Sequence, residues 1–204
     1  MSRLNITLIL AAGYSRRTAP SHKLLATNAA GQTMLGCTIN TALDSITDRA
    51  VVVVPPQRTD LKNIVTQASA LSDRIELCVS HNTALGLSAS LRAGIEVAEK
   101  YQAHSALICL GDMPLVPVTL LNTLIATQHV PSPPPAAAPL LHGRPGNPVI
   151  WRADQFSALK QAEGDKGGRD LLRQLGAALH LIESDPALLT DFDTPERLQQ
   201  FARL

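Results

Sequence analysis

Aromatic residues make up only 3% of the chain. That is too few for a platform on which successive bases of a nucleic-acid strand would stack. Charged residues are also sparse, at 17%, and nearly cancel to a net charge of +1. No global field draws such a chain to nucleic acid or to an anionic lipid surface. Long apolar runs are missing too. The run at residues 6–10 falls far short of a membrane span, and no basic segment with a cleavage site precedes it. The expectation is a cytoplasmic protein without a membrane or nucleic-acid partner. Cys37, Cys78 and Cys109 stand far apart without CxxC spacing, as buried free thiols would rather than a zinc site. The six histidines show no HExxH spacing, and no GxSxG elbow occurs. The Walker pattern GxxxxGK[ST] and the dinucleotide pattern GxGxxG are both absent.

What remains is a soluble globular composition, 45% apolar over 204 residues, enough for one full-sized core. One domain, residues 1–204, is expected. Apolar runs of strand length occur at 6–10, 51–54, 75–79, 106–110 and 148–151, and a last one at 179–182. Between them lie segments with apolar residues at helical spacing: 34–43, capped by Thr33, a weaker one at 61–71, then 85–99 and 118–127. Shorter helical stretches follow at 153–159 and 170–175, and a final helix at 195–204 opens with Thr194-Pro195. Apolar strands alternating with helices predict an α/β fold. The sheet should be mostly parallel, with helices on both faces. Residues 131–139 hold five prolines in nine positions, which predicts an exposed connection that is neither helix nor central strand.

Ligands of such sheets sit beyond the C-terminal strand ends. The loops after the first and fourth apolar runs are the two most unusual in the chain. After the first, Leu10-Ala11-Ala12-Gly13 brings backbone N–H groups within reach of a ligand, and Ser15, Arg16, Arg17 and Lys23 follow. Cations just beyond small residues suit an anion, most simply a polyphosphate. After the fourth comes Gly111-Asp112-Met113-Pro114. A carboxylate there is placed either to hold Mg²⁺ against phosphates or to cap the next helix. Ser88 and Ser90 follow Gly86 at a helix start, where hydroxyls serve a base edge, a phosphate or the helix's own N-terminus. Asp191 and Asp193 stand one residue apart and, on an extended segment, point the same way. Asp193 is the preferred second metal ligand.

Six segments in order resemble one family. LAAGYSRR…K is similar to the LAAGxSxRxGxxK signature of nucleotidyltransferases of the molybdenum-cofactor type, with Ala19 in place of glycine and the lysine one residue late. Residues 86–94 resemble their GLSxSLRxG, and Gly111-Asp112-Met113-Pro114 resembles their metal-binding aspartate motif. Residues 143–148 resemble GxxGHP, with Asn147 where histidine is usual, and residues 164–172 resemble GDxGAR-LL. Asp191-Phe192-Asp193-Thr194-Pro195-Glu196-Arg197-Leu198 resembles [DN]x[DN]TPEDL. The resemblance implies a Rossmann-like three-layer α/β/α fold of the nucleotide-diphospho-sugar transferase type. It implies Mg²⁺-dependent transfer of CMP from CTP to molybdopterin phosphate, with a molybdenum hydroxylase as a candidate partner. Arg17, Lys23 and Asp112 would be catalytic, with Mg²⁺ on Asp112 and Asp193. Leu10, Ala11, Ala12, Gly13, Ser15, Gly86, Ser88, Ser90 and Gly111 would join Arg17 and Lys23 around the nucleotide. Gly146, Asn147, Pro148, Asp165, Gly167 and Arg169 would face the acceptor. Other readings stay open: GTP in place of CTP, a sugar phosphate or methylerythritol phosphate as acceptor, or a non-catalytic cofactor-delivery module.

Overall fold

The computed structural model describes residues 3–12, 22–81, 87–162, 164 and 168–204. Strand β1 (Asn5–Leu10) is buried along its whole length. It lies between β2 (Arg49–Val54) and β4 (Ser105–Leu110), parallel to both, with Leu8 beside Val51 on one side and Ile108 on the other. β3 (Ile75–Val79) adds to β2, again parallel. Beyond β4 come β7 (Val149–Arg152), antiparallel, then β5 (Ala136–Leu141) and β8 (Leu179–Glu183). The two-residue strand β6 (Arg144–Pro145) folds back on the end of β5. Among the described residues the sheet has eight strands and is mostly parallel, as the continuous apolar runs predict.

Alternation along the strands separates two cores. Ile9, Val52, Val54, Leu107 and Cys109 face one layer, made of α1 (Met34–Asp44), α2 (Thr59–Ser69), α4 (Val118–Ala126) and α7 (Pro195–Phe201). Leu8, Leu10, Val51, Val53, Ala106 and Ile108 face the other, made of α3 (Leu87–Lys100), α5 (Phe156–Gln161) and α6 (Arg169–Leu175). The result is the three-layer α/β/α architecture. Thr33 caps α1 by accepting from the Gly36 N–H at 3.1 Å.

The proline-rich stretch departs from expectation. Residues 131–135 do form a connection, but Ala136–Leu141 is a strand paired on both sides, with β7 and with β8. Three alanines and Pro139 are its buried part. The main chain explains why proline is tolerated. In an extended strand the N–H and C=O of one residue face the same side. The Pro139 carbonyl accepts from the Gly146 N–H at 2.8 Å, so its ring nitrogen faces the connection between β6 and β7, where the β5–β7 ladder has already ended at Ala137. Counting prolines missed this because one compatible site sufficed.

Gly94 lets α3 approach the sheet. A Cβ there would lie 3.1 Å from a Leu8 methyl and 3.3 Å from Val53, both fully buried. Helix propensity alone would favour alanine by about 1 kcal/mol. Overpacking against a core that cannot yield outweighs this, at about 1–3 kcal/mol. Gly94→Ala is therefore expected to lower the denaturant midpoint. A raised midpoint would show that α3 is free to move outward.

Candidate active site

β1 and β4 are neighbours, run parallel and end in register at Leu10 and Leu110. β2 and β3 extend the sheet to one side of β1, while β4 lies on the other. The chain's exits from β1 and β4 therefore flank the point where strand order reverses, the usual ligand crevice of an open α/β sheet. Backbone bonds fix both exits. The Ala11 N–H donates to the Val53 carbonyl at 2.9 Å, and the Gly111 N–H donates to the Leu10 carbonyl at 3.1 Å. Ala11 and Ala12 are buried, at 1% and 6% exposure.

Lys23 opens a short 3-10 turn, Lys23–Leu25. Leu24 is buried and packs on Gly111, where an added Cβ would touch its methyls at 3.4 Å. That packing carries the Lys23 side chain to Asp112, and its ammonium forms an ion pair with Oδ2 of the carboxylate. The two side chains keep 18% and 17% of their surface exposed, enough for a ligand to compete for either. The lysine reaches the aspartate despite arriving one residue late in the loop. The Asp112 backbone is tethered as well: its carbonyl accepts from the Phe192 N–H at 3.1 Å. The Gly111 carbonyl accepts from the Thr38 hydroxyl of α1 at 3.3 Å.

The Phe192 bond brings the Asp191–Asp193 segment to Asp112. Asp193, the residue after Phe192, is half-buried. Asp191 is more exposed and is engaged by Arg197, which donates to both its carboxylate and its carbonyl. Thr194 also caps α7, accepting from the Arg197 N–H at 3.4 Å, so the capping role and the approach to Asp112 coexist. Gly146, Asn147 and Pro148 lead into β7, whose antiparallel register puts its first residue, Val149, beside Ile108. They therefore stand at the same sheet edge. Pro148 shares a small pocket with Thr38, Cys109, Leu110 and Met113.

Ser88 and Ser90 sit on the buried face of α3 with Leu91, Gly94 and Ile95, so part of their role is packing. Arg169 is exposed at the start of α6, a helix of the layer opposite α1 and α4. Gly13, Ser15, Arg17, Gly86, Asp165 and Gly167 lie outside the described residues. Sequence reasoning missed Thr38, whose spacing marks only a helix face. It also missed Phe192, which lies inside a recognised motif but acts through its main chain.

Asp112 and Asp193 are oxygen donors on adjoining segments, and among the described residues no group of three or more His, Cys, Asp or Glu could hold a metal ion. This donor set fits a divalent cation such as Mg²⁺, which takes few carboxylates and completes its shell with phosphate oxygens and water. It does not suit zinc, which takes several N or S ligands.

A family model for the MobA-like NTP transferase domain matches residues 7–179, a span that includes Lys23, Asp112 and Asn147. The chain belongs to this family. Membership makes it a nucleotidyltransferase. Rv0371c from Mycobacterium tuberculosis H37Rv superposes with a TM-score of 0.83 at 21% identity, covering 99% of this chain and 98% of that one. A structure of Rv0371c in complex with manganese gives 0.74 at 19% identity and covers 99% of each chain. The 4-diphosphocytidyl-2C-methyl-D-erythritol synthase from Anaerococcus prevotii gives 0.73 at 14% identity, covering 98% and 95%. These likenesses are of fold. Comparison with curated proteins finds no match. No helix among the described residues is long and apolar enough to cross a membrane.

Under the crevice, Cys109 of β4 is buried, and desolvation pushes its thiol up to about 12. Alkylation needs the thiolate. At about pH 8, Cys109 should stay unlabelled by iodoacetamide in the folded protein and react only on unfolding. Peptide mass mapping reads this. Labelling of Cys109 as fast as Cys37 or Cys78, both half-buried, would contradict the packing of β4.

Proposed function

We propose that this nucleotidyltransferase moves CMP from CTP to the phosphate of molybdopterin, releasing pyrophosphate. The observation that carries the reading is the Lys23–Asp112 ion pair at the β1/β4 switch point, tethered to the Asp193 segment. An oxygen of the acceptor phosphate attacks the α-phosphorus. A new P–O bond forms, and the bond to the bridging oxygen breaks as pyrophosphate leaves. Such transfer needs positioning and charge stabilisation rather than a covalent intermediate. Lys23 exchanges the Asp112 carboxylate for a phosphate oxygen and, with Arg17, neutralises the leaving pyrophosphate. Asp112 and Asp193 are the residues that would hold Mg²⁺, which supplies Lewis-acid polarisation of the phosphate. The manganese complex of Rv0371c supports a divalent cation in this fold. Gly146, Asn147 and Pro148 flank the acceptor side, and Asn147 offers an amide where the family usually has histidine. A molybdenum hydroxylase would be the recipient of the product.

Turnover of labelled CTP with molybdopterin, with and without Mg²⁺, tests the reaction. Asp112→Ala should keep its circular dichroism spectrum, because a loop carboxylate contributes little packing, yet lose activity by about 10²–10³-fold. Lys23→Ala should lose a comparable amount. Normal turnover by a folded Asp112→Ala protein would sink the assignment. Turnover with a sugar phosphate or methylerythritol phosphate instead would keep the chemistry and replace the acceptor. The named activity of the Anaerococcus enzyme is one reason to include methylerythritol phosphate.

The choice of base follows from Ala11-Ala12. Guanylyl-transferring relatives usually have LAGG at this point, and cytidylyl-transferring ones LAAG. Ala12 is 6% exposed, so its methyl already fills space at the β1 exit. A clash with the second ring of a purine discriminates more strongly than a lost contact. Equimolar CTP and GTP in competition should give mainly CMP transfer, and Ala12→Gly should narrow the gap. Equal use of both by the unmodified protein would remove the size argument.

A further inference from the structure

The matched family region ends at residue 179, but the chain beyond it returns to the site. The Phe192 N–H donates to the Asp112 carbonyl at 3.1 Å, joining the backbone that carries one candidate metal ligand to the backbone that carries the other. What fixes Phe192 lies in α7. Its ring, 2% exposed, meets Phe201 edge-on with centroids 5.5 Å apart and planes at 61°. Phe201 is 1% exposed and belongs to the core that holds α1 and α4 on the sheet. A second tie runs along the surface. Arg197 donates to the Asp191 carbonyl at 2.7 Å and to the Asp191 carboxylate at 2.5 Å. Residues 191–194 are thus held by a buried ring pair and by a guanidinium, with the Thr194 cap at their end.

We propose that α7 is a clamp in which Phe201, acting through Phe192, and Arg197, acting through Asp191, are positioning residues that set the spacing of the Asp112 and Asp193 carboxylates for a divalent cation. This rests on the reading of those two residues as metal ligands. Groups that orient ligands without touching the metal typically change its affinity by about 10–100-fold when lost. Arg197 separates positioning from packing. Its ion pair is largely exposed, at 42% and 51%, and such pairs add about 0–1 kcal/mol to stability. Its loss should loosen the segment without unfolding the protein.

The test uses the full chain with CTP, free Mn²⁺ being followed by electron paramagnetic resonance. Arg197→Ala and Phe201→Leu should each weaken Mn²⁺ binding by about 10-fold. The turnover number should fall while KM for CTP holds, the pattern of a group whose contribution appears in the transition state. The melting temperature of Arg197→Ala should match the unmodified protein. Should Phe201→Leu fail to fold, Arg197→Ala decides alone. Folded variants that bind Mn²⁺ like the unmodified chain overturn the clamp and leave the proposed reaction standing. An unmodified chain that neither binds Mn²⁺ with CTP nor turns it over removes the underlying reading, and the clamp with it.

Discussion

Everything at the site depends on the parallel pairing of β1 with β4. Register puts Leu10 beside Leu110, and the Gly111 N–H closes on the Leu10 carbonyl one step further. Two loops far apart in sequence are thereby forced to leave the sheet side by side. The strands are buried on both faces, so a slip of one residue would exchange the two cores, turning Ile9 and Cys109 toward α3 and Leu8 and Ile108 toward α1. Register is therefore held by much of the core at once. The position of Asp112 relative to the β1 exit inherits that rigidity. Function needs this, because positioning is most of what a nucleotidyltransferase contributes to its reaction.

The ion pair shows how the loops use the frame. Lys23 does not approach Asp112 by electrostatics alone. Leu24, next in the chain, is buried against Gly111, and the small residue there lets it in. An apolar contact sets the distance and the charges follow. Such an arrangement tolerates a changed loop length upstream, because the anchor is the leucine and not the path of the chain before it. The long lysine side chain takes up what difference remains.

Much of this was legible in the residues, and the exceptions have physical reasons. Runs such as Val51–Val54 and residues 106–110 read directly as buried parallel strands, because burial on both faces leaves no alternation to misjudge. Gly111-Asp112 after such a run pointed to the crevice on spacing alone. Ala136–Ala138 did not read as a strand, since alanine carries little strand preference and prolines flank it, yet β7 and β8 supply partners no local window contains. Gly94 looked like part of a ligand motif, and its visible task is to admit the Leu8 methyls. Phe192 was hidden for another reason. Its contribution to the site is a main-chain N–H, which every non-proline residue owns, so only the fold reveals which one is used.

Charge adds a final constraint. With a net charge of +1, the chain has no broad positive field to concentrate a triphosphate from solution. Attraction must come from groups within a few ångströms, and the Lys23 charge is answered by Asp112. On the proposed reading, an anion arriving without a cation would gain the lysine only by leaving the carboxylate beside it uncompensated and close to the incoming phosphate. A nucleotide accompanied by a divalent cation meets no such penalty, because the carboxylate passes to the metal as the ammonium passes to the phosphate. The half-buried setting of the pair sharpens the difference, since like charges are screened less there than in bulk water. On that reading the ion pair favours the metal–nucleotide complex over the bare nucleotide before any base is recognised.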